Sequence, residues 1–183
     1  MPRFDIDSFR AQFQGGARQY LFYYKPSFPA GVAAGSDVEK MTYLVRSTVL
    51  PSTNVEEIML NWQGFDYKIP GKYTYDDFTC TFNVDLDAKI LEIFNTWQRL
   101  IHDPTTNIYN LPATVLADQQ LELLGLDGKP LTKYKLVGAW PKNIAQVTLD
   151  YTANETATFD ITFAYVYHVQ DKVQYGVAPN FAG

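Results

Sequence analysis

In several stretches of this chain apolar and polar residues alternate one for one, and one segment between them switches to helical spacing. Phe78, Cys80, Phe82 and Val84 alternate with Thr79, Thr81, Asn83 and Asp85, and Phe159, Ile161, Phe163, Tyr165 and Tyr167 alternate with Thr158, Asp160 and Thr162. Successive side chains of a strand point to opposite faces, so each run predicts a half-buried strand. Between them Leu86, Ile90, Phe94, Trp97 and Ile101 recur at helical spacing, with Ile93 and Leu100 widening the stripe. Asp85 or Asp87 is expected to cap this helix, and Pro104 to stop it beyond His102. It is expected to be the one substantial helix, its stripe packed on a sheet. The fold class is therefore mainly β: a small antiparallel barrel or sandwich with one packed helix at about residues 86–102.

Further strands are expected at 18–25, 41–48 and 57–63. The last carries Ile58, Leu60 and Trp62 on one face and Glu57, Asn61 and Gln63 on the other. Pro70-Gly71 has the chemistry of a type II turn. Asp127-Gly128 predicts a hairpin joining 119–126 to 131–137, with Glu122 opposite Lys133 and Leu124 opposite Leu131. Trp140-Pro141 is expected to end that unit. Gln146, Thr148 and Asp150 form a polar face at even positions, as do Thr156, Thr158, Asp160 and Thr162. Cross-strand partners share a face, so a hairpin here demands an even index sum, Asp150 facing Thr156, or a bulge that resets the register. Residues 1–16 read as a loose N-terminal arm and 169–183 as a flexible tail on one domain spanning 1–183.

Composition narrows the chemistry. The 183 residues carry 15 Lys+Arg against 20 Asp+Glu, an acidic balance that disfavours gripping phosphate. Between 54 and 87 seven acids stand against two lysines, which equals the whole net charge of −5. One Cys excludes an internal disulfide, and Cys80 falls on an apolar strand face, an inert position. His102 and His168 have no nucleophile motif beside them, and Asp76-Asp77 and Glu56-Glu57 are neighbours that a strand sends to opposite faces. Nothing predicts catalysis, a cofactor or a metal. MPRFDIDSFR is charged and lacks the apolar stretch of a secretory signal, so a soluble protein with no membrane binding is expected.

The order of features resembles the tail tube proteins of contractile-tailed bacteriophages, over roughly residues 15–170. The carrying run spans Tyr43 to Ile101: a strand ending in Leu50-Pro51, Gly64 followed by Ile69-Pro70-Gly71-Lys72, the Thr79–Asp85 strand, and a helix with Phe94 and Trp97. Leu121–Asp127 with Gly128, Gly138-Ala139-Trp140-Pro141 and the Phe159–Tyr167 strand continue it, with Trp140 where the family usually has phenylalanine. The tube's longer initiator protein is similar in part, as are tube proteins of type VI secretion systems and R-type pyocins. The resemblance implies rings of six joined through their sheets and stacked into a tube. It implies as partners the tail sheath, the baseplate or tube initiator, the tail terminator, and the tape measure protein and DNA in the lumen. It implies location in the virion tail, with assembly in the host cytoplasm.

With that resemblance, Glu57, Asn61, Gln63, Asp150 and Asp160 become candidates to line the lumen. An acidic wall would let DNA slide, since a ring of six carries about −30 before counterions. Lys68, Ile69, Pro70, Gly71 and Lys72 are candidates for contact between rings. Two alternatives stay open: a tube protein of a phage-like secretion or pyocin machine, and a monomeric β-barrel that binds a small molecule among its aromatics.

Overall fold

The computed structural model describes residues 5–13 and 16–172. In chain order the elements are α1 (Ile6–Phe13), β1 (Phe22–Lys25), α2 (Gly35–Leu44), β2 (Val45–Thr48), β3 (Thr53–Trp62), β4 (Phe65–Tyr75) and β5 (Phe78–Asn83). There follow α3 (Lys89–Ile101), β6 (His102–Asp103), β7 (Ile108–Tyr109), α4 (Pro112–Val115), β8 (Ala117–Leu124), β9 (Pro130–Ile144), β10 (Thr158–Ala164) and β11 (Tyr167–Lys172).

The main sheet is antiparallel and runs β1-β8-β9-β10-β5-β2, with β11 continuing β10 along β9. β9 belongs to both halves: residues 132–137 lie between β8 and β11, and the stretch 140–144 pairs with β10. The sheet wraps around one face of side chains but does not close, because among the described residues β1 and β2, the ends of its path, each have a partner on one side only. β3 and β4 pair with each other and with no other strand among the described residues.

Alternation builds the core. Phe78, Cys80 and Phe82 of β5 and Phe159, Ile161 and Phe163 of β10 are buried on one face, and α3 lays Ile90, Ile93, Phe94 and Trp97 onto them. Phe94 stands within 6.5 Å, centroid to centroid, of Phe82, Phe159, Phe163 and Trp97, at angles from stacked to perpendicular. Such aromatic pairs add to the burial of their area. The Trp97 indole donates to Val115 O at 2.7 Å, so its one polar atom is satisfied in the core. Buried Gln119 accepts from Tyr24 Oη at 2.7 Å and donates to Ser27 O at 2.7 Å. Burial pushes the Cys80 thiol up to about 12, which fits the inert role expected of it.

The β8–β9 hairpin has the expected register: Glu122 faces Lys133, and their side chains form an ion pair at 2.9 Å. Its tip is looser than a two-residue turn. A register shift after Leu123 pairs Leu124 with Pro130 instead of Leu131, and Gly125 N donates to Lys129 O at 2.8 Å. The strand then runs through Trp140-Pro141 instead of ending there.

Several expectations are corrected. The helix is α3, three residues shorter at its start: Leu86 is fully exposed, and Ala88 in the left-handed region holds the cap position. Asp85 still serves the helix start, accepting from Ile90 N at 3.4 Å. Burial alone would raise its carboxyl, but hydrogen bonds from Lys40 at 2.7 Å and from Ile90 hold it below the ordinary value. α3 is not the one substantial helix. The first half of the expected 41–48 strand is the end of α2, which buries Met41 and is tied to the α3 start by Lys40–Asp85 and Lys89–Asp37 ion pairs. Within the expected loose arm, Ile6–Phe13 is helical. The expected tail at 169–183 begins as strand, since β11 reaches Lys172; residues 173–183 lie outside the described residues.

The polar face at Gln146, Thr148 and Asp150 implies a strand over 145–151, and none forms there. After Ala145 N donates to Asp160 O at 2.8 Å the chain leaves the sheet. The Asp150 carboxylate then accepts from both N and Oγ1 of Thr152 at 2.8 Å, which turns the chain locally. Ile144 pairs with Ile161, an odd index sum, and a register shift at Thr162/Phe163 restores an even one, with Trp140 facing Ala164. A bulge thus resets the register inside β9, and Asp150 does not face Thr156. Tyr151 is fully exposed, while Phe159 and Ile161 are buried.

Two substitutions test this core. Trp97→Ala empties a fully buried site and is expected to cost about 3–5 kcal/mol. Asp85→Ala removes the acceptor shared by Lys40 and Ile90 and is expected to cost about 1.5–3 kcal/mol. Denaturant unfolding measures both.

Candidate assembly surfaces

The β3–β4 hairpin is a long feature that the rest of the described residues leave largely uncovered. Every residue of β3 is exposed, as is most of β4. A two-stranded ribbon standing alone is at best marginal in water. Gln63 and Gly64 close it with φ of 44° and 85°. Positive φ at both positions is the backbone of a type I′ turn, whose twist matches that of paired strands. The sequence placed its turn at Pro70-Gly71, and this is corrected: both residues lie inside β4, with Pro70 opposite Glu57. There the register shifts by one residue between Val55 and Glu57. A Cβ on Gly71 would stand 2.9 Å from Glu56 O, so the bulge needs glycine for close approach, not for a turn.

The two faces sort as the alternation required. Ile58, Leu60 and Trp62 face Ile69, Tyr67 and Phe65 across the ladder. On the other face Glu57 pairs with Lys68 at 2.9 Å, and Asn61 donates to Asp66. At the root Asp76 accepts from Ser52 at 2.5 Å and from Asn54 at 3.0 Å, and Thr53 Oγ1 lies 3.4 Å from His168 Nε2. Tyr75 sets its ring against Tyr165 and His168, which fixes the hairpin to β11 and the chain beside it.

A second surface is the outward face of β5 and β10. Asn83, Thr81 and Thr79 face Thr158, Asp160 and Thr162, and Ser47 of β2 continues the row beside Thr81. Asp160 accepts from Thr81 at 2.6 Å. The face is hydroxyl-rich, with Asp160 its one charge among these seven residues.

The structure therefore separates the candidate residues. Glu57, Asn61 and Gln63 share the hairpin with Lys68, Ile69, Pro70, Gly71 and Lys72; Asp160 lies on the sheet face, and Asp150 in the 145–157 loop. The acidic run is partly spent inside the fold: Asp85 meets Lys40, Asp77 meets Lys142 at 2.7 Å, and Asp76 holds the hairpin root. Sequence reasoning missed the threonine row of β5, whose residues were noted only as the partners of buried ones. It also missed a groove between β1 and β2, lined by Phe22, Val45, Leu121 and Leu123, since the meeting of two distant strand edges leaves no local signal.

The family model of phage tail tube proteins matches residues 17–171. The tail tube protein of Serratia phage KSP90 is 27% identical over 172 residues, covering 91% of this chain and 97% of that protein. The baseplate tail-tube junction protein gp54 of Enterobacteria phage T4 is 27% identical over 124 residues, which is 67% of this chain and 38% of that protein. Among solved structures, a chain of the PVC sheath-tube complex, an extracellular contractile injection system in its extended state, is similar with a TM-score of 0.58. It is 17% identical, and the likeness covers 93% of this chain and 100% of that one, which shows a shared fold.

The hairpin root carries a pH dependence. Burial among Tyr75, Tyr134 and Tyr165 lowers the His168 pKa below its ordinary 6.5. A base with a lowered folded pKa binds its proton more readily when unfolded, so stability is complete above about 6.5 and is lost as pH falls below it. Tm is therefore expected to fall between about pH 7.5 and pH 5.5, and to fall less in His168→Phe. An equal drop in both proteins, followed by circular dichroism, would contradict this.

Proposed function

The chain belongs to the phage tail tube protein family, and on that premise we propose that it forms rings of six that stack into the inner tube of a contractile tail. The observation that carries this is the combination of an unclosed sheet with a long uncovered hairpin, two features that a neighbour of the same kind can satisfy. Contacts between unlike surfaces close into rings when the rotation allows it.

In this reading the hydroxyl-rich face of β5 and β10 lines the lumen, with Asp160 its charge. DNA passes such a wall because threonine and serine offer weak hydrogen bonds and no cations, so no counterion release rewards binding. Glu57, Asn61, Gln63 and Asp150 remain lumen candidates only where the hairpin or the 145–157 loop turns inward. The hairpin, with Lys68, Ile69, Pro70, Gly71 and Lys72, reaches the next ring. The sheath, the baseplate or tube initiator, the terminator and the tape measure protein are the further partners. The protein assembles in the host cytoplasm and ends in the virion tail. Its work is mechanical, without catalysis.

Electron microscopy of the purified protein tests the assembly. Rings or tubes with an axial channel wide enough for a duplex are expected, and featureless small particles at every concentration and salt would favour a monomeric binding module instead. Deletion of residues 68–72 is expected to spare rings and prevent stacking; normal long tubes would contradict that role. A channel wall of net positive charge would contradict the account of the lumen.

A further inference from the structure

The hairpin changes sides along its length. In the distal half Ile58, Leu60, Trp62, Phe65, Tyr67 and Ile69 form one apolar face, with Trp62 70% and Phe65 76% exposed. In the proximal half the apolar residues stand on the other face, where Val55 pairs with Tyr73 and Thr53 with Tyr75. Tyr75 rests on Tyr165 and His168 of its own chain. The inversion falls at the register shift beside Gly71. One ribbon is thus applied to its own body at the root and turned toward something else at the tip.

A groove of about 810 Å³ lies where the sheet fails to close, bounded by the free edges of β1 and β2. Phe22, Val45, Leu50, Leu121 and Leu123 give it apolar walls. Among the described residues its two edge strands are each paired on one side only, and the open side suits an added strand. Arg46 stands on its wall and enters no ion pair among the described residues. Glu56 lies on the same hairpin face as Ile58 and Leu60, and it too enters no ion pair among the described residues.

The chain's own hairpin tip cannot fill this groove. Val49 and Leu50 line it and lead directly into β3. Ten residues of strand then carry the tip about 30 Å from that point. We propose that the distal half of the hairpin of one copy seats, apolar face inward, in the β1/β2 groove of a second copy, with Glu56 meeting Arg46 at the rim. This inference rests on the reading of the chain as a tube subunit. It makes the contact heterologous, so each copy offers one tip and one groove and the contact can repeat without limit.

Photo-crosslinking tests the seat. Phe65 replaced by p-benzoylphenylalanine keeps an aromatic ring at the tip, and irradiated assemblies are mapped by mass spectrometry. Tyr67 replaced in the same way serves if the first substitution prevents assembly. Intermolecular adducts on residues 19–24, 45–50 or 121–123 are expected. Adducts elsewhere on the second copy, or none in normal tubes, would overturn the seat alone. Wild-type protein that forms neither rings nor tubes would overturn the tube reading, and the seat with it. Independently, Arg46→Glu is expected to raise the concentration needed for assembly about tenfold, and the added Glu56→Arg to restore it. Absence of restoration would contradict the Glu56–Arg46 meeting.

Discussion

The strand path β1-β8-β9-β10-β5-β2 bends without closing and, among the described residues, leaves a row of backbone groups unpaired at each of its two ends, and the rest of this molecule follows from that constraint. β1 and β2 are those rows, and they face a common groove. Closing the sheet on itself would remove the edges and yield a self-sufficient barrel. The chain instead spends the residues between β2 and β5 on a ribbon that projects from the body. It is thus short of strand pairing at one place and leaves a paired ribbon uncovered at another. In the proposed tube a second copy meets both shortages.

The aromatic core makes this exposure tolerable. α3 presses Phe94 and Trp97 into a sheet face already filled by Phe82, Phe159 and Phe163, and no buried side-chain N or O atom among the described residues is left without a hydrogen bond. That packing is complete within one copy. The ion pairs Lys40–Asp85 and Lys89–Asp37 then hold α2 to the start of α3, beside β2 and the groove. A rigid centre with unsatisfied margins is the arrangement expected of a subunit that folds first and assembles afterwards.

Local chemistry made part of this legible. The α3 stripe, the β5 and β10 alternation and the Glu122–Lys133 register could be read directly, because each depends on residues close in sequence or on a single face. The two faces of β3 were legible for the same reason, though not that both would stand in solvent. Where the reading failed, a distant contact decided the outcome. Tyr43 to Thr48 has the composition of a strand, yet burial of Met41 and the Lys40–Asp85 pair keep the chain helical through Leu44. Pro70-Gly71 has the residues of a turn, but Gln63-Gly64 supplies the turn and leaves the glycine to fit beside Glu56 O. The groove was illegible because its walls lie some 20 to 100 residues apart in the chain.

The central claim is that the margins of this fold are completed by neighbours. Hydrogen exchange, compared between assembled and dispersed protein, measures it most directly, since amides exchange when their hydrogen bonds open. The account predicts that β5, β9, β10 and α3 are protected in both states, while β1, β2 and the β3–β4 hairpin gain protection only on assembly. Hairpin and edge amides that exchange equally fast in both states would contradict it.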